Sequence, residues 1–401
     1  MLAICGSNKD KESHEHEFSP KCTAPQIVIR PQRLFAGRLL EINGRIMSVI
    51  LMPTVSALPR TFELALPDLA LERGGLVRQH RSRGWWWSRE GDTPENPQKD
   101  IPTVLLVHAL TGSSQAGGEG GWWEPLIGPG RALDPARYRL ICFNNLGSCY
   151  GSSGPGVEGF PPAETVDLTC LDISRALLQA LDKLGIERVH LTTGGSLGGM
   201  VTLTLAALAP ERFERVLPLA TTLAASAWVV GWNHVARQIL RLDPGYPNNV
   251  GRGLEIARQM AILTYRAEPG LDADQPRSAA GYPVQSYLEH QGRKLRNRFA
   301  VQAYELQLAA MDHHDLLQPL PGDTQAAITR VRASALVVDV DTDQLFTPAQ
   351  ATTLIEHLRR AGAAVERATV KSIHGHDAFL IEWETLEPIL TRALHLHAPL
   401  K

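Results

Sequence analysis

The segment GGSLGG, residues 194–199, constrains the fold more than any other part of the sequence. It follows Val189–Thr193, a short apolar run that predicts a buried strand, and it opens Leu197–Leu208, whose pattern predicts a helix. A serine between glycines at such a junction predicts a sharp turn that exposes the hydroxyl at the carboxyl edge of a sheet. Ser196 is therefore the candidate nucleophile. The alternative is a structural glycine-rich turn, but the spacing and ending of phosphate-binding loops are absent.

Strand and helix patterns alternate through the rest of the chain. Four further apolar runs predict strands: Thr103–His108, Arg139–Asn144, Val216–Ala220 and Ala335–Val340. Leu168–Leu184 has helical spacing, and Gly185 is placed to end that helix. Short connections between alternating elements predict a mostly parallel sheet flanked by helices.

Two segments depart from this alternation. Residues 228–324 are almost wholly helical in pattern and predict an inserted helical lid, so that residues 56–227 and 325–401 form the core. Residues 1–55 form an N-terminal extension that we expect to be poorly ordered, because its first 25 residues are polar and aperiodic. A weak strand pair is expected around Asn43-Gly44.

The composition excludes several classes of protein. A formal net charge of −2 indicates neither nucleic acid nor an anionic membrane as a partner. No apolar run reaches the roughly 18 residues of a membrane span, and the first residues lack the apolar segment of a signal peptide. Five widely spaced cysteines favour a reduced compartment, so we expect a cytoplasmic protein. No metal is expected, because the chain has neither an HExxH motif nor a Cys/His cluster.

A serine nucleophile needs a base and an acid, which follow it in the chain order Ser, Asp or Glu, His in α/β hydrolases. Candidates lie in loops after late strands: Asp339, Asp341 and Asp343 compete for the acid, and His374 competes with His376 for the base. Asp343 is favoured because it is farthest along its loop, and His376 is favoured as general base. A lone histidine is usually structural or solvated, which is the expectation for His374.

The oxyanion of a tetrahedral intermediate needs backbone N–H donors. In this fold one comes from the loop after an early strand and the other from the residue after the nucleophile. Leu110 and Leu197 occupy these positions.

Several segments together resemble the homoserine O-acetyltransferase family. They are HALTGSS (108–114), GWWEPLIGPGRALD (121–134), NNLGSCYGSSGP (144–155), GGSLGGM (194–200), SAWVVGWNHVARQ (226–238), QSYLEHQGRKLRNRF (285–299), DTDQLFTP (341–348) and GHDAFL (375–380). The resemblance runs from about residue 60 to the C-terminus. It implies an α/β-hydrolase fold with Asp343 as acid and His376 as base. It also implies that the acceptor amino acid binds Arg237 and Asp377, with Tyr304 and Asp312 as weaker, more structural candidates.

The resemblance implies a two-step reaction in which Ser196 accepts an acetyl group from acetyl-CoA, a co-substrate, and passes it to L-homoserine. No bound cofactor is expected, and the partners are small molecules, with a homodimer through the lid helices as an assembly to consider. Three alternatives stay open. A relative that uses serine or succinyl-CoA shares the triad, an esterase would not need Arg237 and Asp377, and a non-catalytic module would be expected to lose a triad residue.

Overall fold

The computed structural model describes residues 40–42, 45–47, 58–248, 251–279 and 281–398. The chain divides into two units, residues 1–52 and 53–401. In the first unit, strands β1 (Leu40–Ile42) and β2 (Arg45–Met47) pair antiparallel on either side of residues 43–44, where a strand pair was predicted. Apart from β1 and β2, the segment 1–55, which we expected to be poorly ordered, lies outside the described residues.

The second unit is built on an eight-stranded sheet. Among its described residues, this unit has ten strands, of which all but β4 and β5 belong to the sheet: β3 (Arg60–Ala65), β4 (Leu69–Ala70), β5 (Leu76–Val77), β6 (Arg81–Trp87), β7 (Thr103–Val107), β8 (Arg139–Phe143), β9 (Leu191–Gly195), β10 (Arg215–Leu219), β11 (Ser334–Val340) and β12 (Val365–Val370). The sheet order is β12-β11-β10-β9-β7-β8-β6-β3, and β4 pairs with β5 separately. Strands β7 to β12 pair in parallel, whereas β6 is antiparallel to β8 and β3.

The central strands explain why the sequence pattern predicted a parallel sheet. Every residue of β7, β8 and β9 is buried, as expected for strands covered on both faces. The antiparallel strands β3 and β6 and the edge strand β12 were not predicted. Trp85 and Trp86 of β6 are buried in the core, and a buried ion pair between Arg139 and Asp92 lies beside Trp86.

Within its described residues, the unit also contains ten α-helices. They are α1 (Cys170–Lys183), α2 (Leu197–Leu208), α3 (Ala227–Arg241), α4 (Arg252–Tyr265), α5 (Glu268–Asp274), α6 (Val284–Arg296), α7 (Val301–Asp312), α8 (Pro348–Arg360), α9 (Ala378–Ile381) and α10 (Trp383–Leu394). A capping box between Thr169 and Asp172 begins α1, and Gly185 follows its end with φ 67°, which a side chain would disfavour. None of these helices, over the described ranges, is long and apolar enough to span a membrane.

Helices α3 to α7 lie between β10 and β11 and are called the lid. These helices run from Ala227 to Asp312, and the predicted insertion was residues 228–324; that division of the chain into core and lid stays a prediction. Helices α4 and α6 pack closely, since a Cβ at Gly292 would lie 2.7 Å from the carbonyl oxygen of Glu255. Only a glycine at position 292 therefore allows α4 and α6 to approach this closely.

Candidate active site

Ser196 occupies a strained turn between β9 and α2. Its backbone has φ 58° and ψ −123°, a combination that a non-glycine residue rarely adopts. The Ser196 N–H donates to Leu219 O at 2.9 Å, and Thr221 Oγ1 donates to Ser196 O at 3.0 Å. Strand β10 and the residue two positions after it therefore hold the turn in place.

The flanking glycines are required by close backbone approach. A Cβ at Gly194 or Gly198 would lie 2.4 or 2.2 Å from Val107 O at the end of β7. A Cβ at Gly195 would lie 2.4 Å from Cδ2 of Phe379. The glycine pattern in the sequence thus brings the Ser196 turn against β7 on one side and against α9 on the other.

Asp343 and His376 form a buried hydrogen-bonded pair. His376 Nδ1 donates to Asp343 Oδ2 at 2.7 Å. The other carboxylate oxygen, Oδ1, accepts from the N–H groups of Leu345 at 2.8 Å and Phe346 at 2.9 Å. The carboxylate is therefore fixed by the backbone, and it holds His376 in the tautomer whose Nε2 can accept a proton.

The surroundings of His376 raise its pKa, which helps the imidazole to accept a proton. Burial by itself lowers the pKa of His376. The charge and hydrogen bond of Asp343, together with the charge of Asp377, outweigh burial and raise the His376 pKa above its usual 6.5.

The competing candidates have other partners. Asp339 accepts from Arg367 Nε and Nη2 at 2.8 and 2.9 Å, within the sheet. Asp341 Oδ1 accepts from the N–H of Ser372 at 3.0 Å. His374 Nδ1 lies 3.0 Å from Arg266 Nη2, and because arginine only donates, His374 is the acceptor. The structure therefore places Asp343, and neither other aspartate, against His376.

Aromatic rings that the sequence reasoning missed surround His376. The rings of Phe346, Phe379 and Tyr265 lie 5.3, 5.4 and 5.7 Å from the imidazole, between ring centres. Phe379 also packs against Gly195, so it joins the histidine loop to the serine turn. No hydrogen-bond partner of Ser196 Oγ is present in the described part of the chain, which leaves the hydroxyl free to meet a substrate.

Leu110 and Leu197 are the residues whose backbone N–H groups were predicted to stabilise the oxyanion. Neither the Leu110 N–H nor the Leu197 N–H has an acceptor within the ranges that the structure describes. The loop of Leu110 is fixed by His108, whose Nδ1 donates to Ala109 O at 2.8 Å and whose Nε2 accepts from Asn145 N at 3.0 Å. Burial lowers the pKa of His108 to about 4, so this histidine is neutral and structural.

The structure connects Arg237 to Asp312, and among the described residues Asp377 makes no hydrogen bond or ion pair with either of them. Asp312 accepts from Arg237 Nη2 and, at 2.7 Å, from Asn233 Nδ2. Arg237 Nη1 is buried and has no hydrogen-bond partner among the described residues. Arg237 and Asp312 line a cavity of about 630 Å³ between lid helices and Ala163–Asp167, and neither Ser196 nor His376 lines it. Tyr304 is fully buried in the core.

Asp377 is half-buried, and its carboxylate has neither a hydrogen bond nor an ion pair in the described ranges. The acceptor-binding role of Asp377 stays a prediction, as do the roles of the other candidate site residues. A cluster of three or more His, Cys, Asp or Glu side chains able to hold a metal ion does not occur in the part of the chain described here.

Comparison with known proteins agrees with this architecture. Residues 102–380 match the model of the α/β-hydrolase fold family. The chain is 39% identical over 318 residues to homoserine O-acetyltransferase of Thermus thermophilus, covering 72% of this chain and 80% of that protein. It is 35% identical over 316 residues to the enzyme of that name from Moorella thermoacetica, covering 72% and 84%.

A solved structure shares the fold. The crystal structure of homoserine O-acetyltransferase from Bacillus anthracis superposes with a TM-score of 0.77 at 20% identity, over 85% of this chain and 99% of that one. The expected fold class is confirmed by the sheet and by these matches. The chain belongs to the homoserine O-acetyltransferase family of α/β hydrolases.

Proposed function

We propose that the protein transfers the acetyl group of acetyl-CoA to the hydroxyl of L-homoserine through an acetyl-Ser196 intermediate. The activity for which its relatives are named, homoserine O-acetyltransferase, supports the acceptor and the acetyl group. The observation that carries the chemistry is the buried pair of His376 and Asp343, 2.7 Å apart, next to a strained serine turn. The biosynthetic role that the proposal implies is the acetylation of homoserine in methionine biosynthesis.

In the first half-reaction, Ser196 Oγ attacks the thioester carbonyl carbon while His376 Nε2 accepts the hydroxyl proton. The carbonyl oxygen becomes an oxyanion, which the free N–H groups of Leu110 and Leu197 stabilise. Collapse of this intermediate breaks the carbon–sulfur bond, and His376 returns the proton to the departing thiolate of CoA. Asp343 keeps the imidazole oriented and stabilises its charged form.

In the second half-reaction, homoserine enters and His376 accepts the proton of its hydroxyl. The alkoxide attacks the acetyl carbon, and Ser196 leaves with the proton from His376. The family resemblance puts the acceptor carboxylate at Arg237 and the ammonium at Asp377. Water is the competing nucleophile, and the aromatic rings around His376 together with the lid would limit its access.

A crossed assay tests the proposal. Purified protein is given acetyl-CoA or succinyl-CoA with homoserine, serine or no acceptor, and CoA release is followed. We expect rapid release only with acetyl-CoA and homoserine. Equal release without an acceptor would favour an esterase-like hydrolase, and faster release with succinyl-CoA or serine would favour a sister transferase.

A cytoplasmic location and a homodimer through the lid are part of the proposal. The first rests on the use of acyl-CoA by a biosynthetic enzyme. The second rests on apolar side chains that the lid exposes, among them Trp228 at 55% and Leu263 at 50% exposure. Sedimentation of the purified protein checks the second part.

A further inference from the structure

An arginine at the junction of two lid helices contacts the loop that carries the predicted oxyanion donor. Arg298 lies between α6 and α7, and its Nη1 donates to Thr111 O at 2.7 Å and to the hydroxyl oxygen of Tyr150 at 2.6 Å. Thr111 directly follows Leu110 in the chain. Both acceptors are neutral, and within the described ranges Arg298 has no ion pair with a carboxylate, so the guanidinium keeps its full positive charge.

The backbone of Arg298 is held in place by the packing of its neighbours. Phe299 is buried, and the centre of its ring lies 5.7 Å from that of Tyr150 and 6.5 Å from that of Tyr304. The N–H groups of Arg298 and Phe299 both donate to Leu295 O, at 3.0 and 2.9 Å. The Arg298 side chain is exposed, but it therefore extends from a fixed point of the lid.

Two peptide groups connect the guanidinium of Arg298 to the N–H of Leu110. Leu110 and Thr111 are the central residues of a turn in which the Gly112 N–H donates to Ala109 O at 2.9 Å. The peptide group between Thr111 and Gly112 accepts from Arg298 through its oxygen and donates through its N–H. The peptide group between Ala109 and Leu110 accepts that bond, and its own N–H is the Leu110 donor. Groups in such a hydrogen-bonded chain polarise one another.

The core of the protein holds the other side of the same turn. His108 Nδ1 donates to Ala109 O at 2.8 Å, and a Cβ at Gly112 would lie 2.9 Å from Cβ of His108. The carbonyl before Leu110 is thus held by the core, whereas the carbonyl of Thr111 after it is held by the lid. The orientation of the Leu110 peptide depends on both contacts.

We propose that Arg298 is a positioning residue that orients and polarises the Leu110 N–H, so that the lid completes the oxyanion hole. The inference rests on the proposed function and deepens it, because both half-reactions pass through an oxyanion at Leu110. A donor that is aimed in advance at the developing charge stabilises it without reorganisation. Arg298 acts through the turn, and its effect falls on the rate of the chemical step.

The test measures acetylation of the full-length enzyme by acetyl-CoA and by p-nitrophenyl acetate, a donor without the CoA portion. Arg298→Ala is expected to slow acetylation at saturating donor by about 10- to 100-fold with both donors, less than the loss of an oxyanion donor itself. Arg298→Lys should recover part of the loss, because an ammonium can donate to Thr111 O but lacks the guanidinium geometry. Arg293→Ala is the matched control. It removes an exposed arginine of α6 that pairs with the exposed Glu289, and it should stay within about twofold of the wild type.

The pH profile and the choice of donor separate this role from two others. The acidic limb of acetylation should coincide in Arg298→Ala and the wild type, because the pair of His376 and Asp343 is untouched. A displaced limb, or a loss confined to KM for acetyl-CoA, would overturn the assignment in favour of a disturbed base or a contact with CoA. Equal rates for Arg298→Ala and Arg293→Ala with both donors would also overturn it. A wild-type enzyme that is acetylated but never transfers the group to homoserine would overturn the proposed function alone.

Discussion

Arg266 of the lid donates a hydrogen bond of 3.0 Å to Nδ1 of His374, two residues before His376. The backbones meet at the same place, because a Cβ at Gly270 would lie 2.2 Å from Ile373 O and one at Gly375 would lie 2.6 Å from Ala267 N. The lid therefore supports the loop that carries the catalytic base, in addition to covering the site.

Removing the Arg266 side chain is expected to loosen this support. Arg266→Ala should lower kcat by about 10-fold or more, because small displacements of a catalytic group are costly, with a lowered melting temperature. Steady-state kinetics and thermal unfolding measure both effects. Arg277→Ala is the control on the lid surface, and equal kinetics for the two variants would show that the loop is held without Arg266.

The acid of the triad can be assigned by three parallel substitutions. Asp343→Asn should lower kcat by about 10³-fold or more, because the amide no longer holds the required tautomer. Asp341→Asn should change kcat little. Asp339→Asn should lower the free energy of unfolding, because it weakens the ion pair between the buried Asp339 carboxylate and the exposed Arg367, while the folded fraction keeps its kcat. A dead Asp341→Asn beside an active Asp343→Asn would reverse the assignment.

The pH dependence should reflect the raised pKa of His376. The base must be neutral to accept a proton, so the acidic limb of acetyl-enzyme formation should lie above the usual imidazole value of 6.5. Asp377 contributes to raising that pKa, so Asp377→Asn should move the limb to lower pH. Single-turnover acetylation over a pH series, without acceptor, measures the limb. An unmoved limb in Asp377→Asn would contradict the electrostatic account.

Gly198 and Gly231 differ in how much space surrounds them, so alanine should affect stability differently at the two positions. A Cβ at Gly198 would lie 2.2 Å from Val107 O, whereas Gly231, exposed on α3, has open space around it. Gly198→Ala should lower the free energy of unfolding by about 3 kcal/mol or more, as severe overpacking does. Gly231→Ala should raise it by about 0.5–1 kcal/mol. Denaturant titration of both variants measures the difference, and a fully stable Gly198→Ala would show that the turn can move.

The sequence was informative where local chemistry dictates structure. The Ser196 turn and the buried strands β7 to β11 could be predicted, because glycine spacing and continuous apolar runs have few structural solutions. Strand β6 could not, since it combines arginines with three tryptophans in an antiparallel position near the edge. The contact of Arg266 with His374 could not be predicted either, because it joins residues 108 positions apart through tertiary packing.

In the candidate site, too, some features could be predicted from the sequence and others could not. Chain order and loop position favoured Asp343 and His376, and the structure brings these side chains together. Nothing in the local sequence indicated that Asp312 would neutralise Arg237, or that Arg298 would contact the turn of Leu110. Such contacts depend on how α3, α6 and α7 pack, and only the folded lid determines that.

The central claim is that Ser196 carries the acetyl group to homoserine, and intact-protein mass spectrometry tests it most directly. Wild-type protein mixed with acetyl-CoA alone should gain the mass of one acetyl group, and addition of homoserine should remove that mass as O-acetylhomoserine appears. Ser196→Ala should gain no acetyl group and form no product. An acetyl adduct of equal yield on Ser196→Ala, or product formation by that variant at the wild-type rate, would contradict the account.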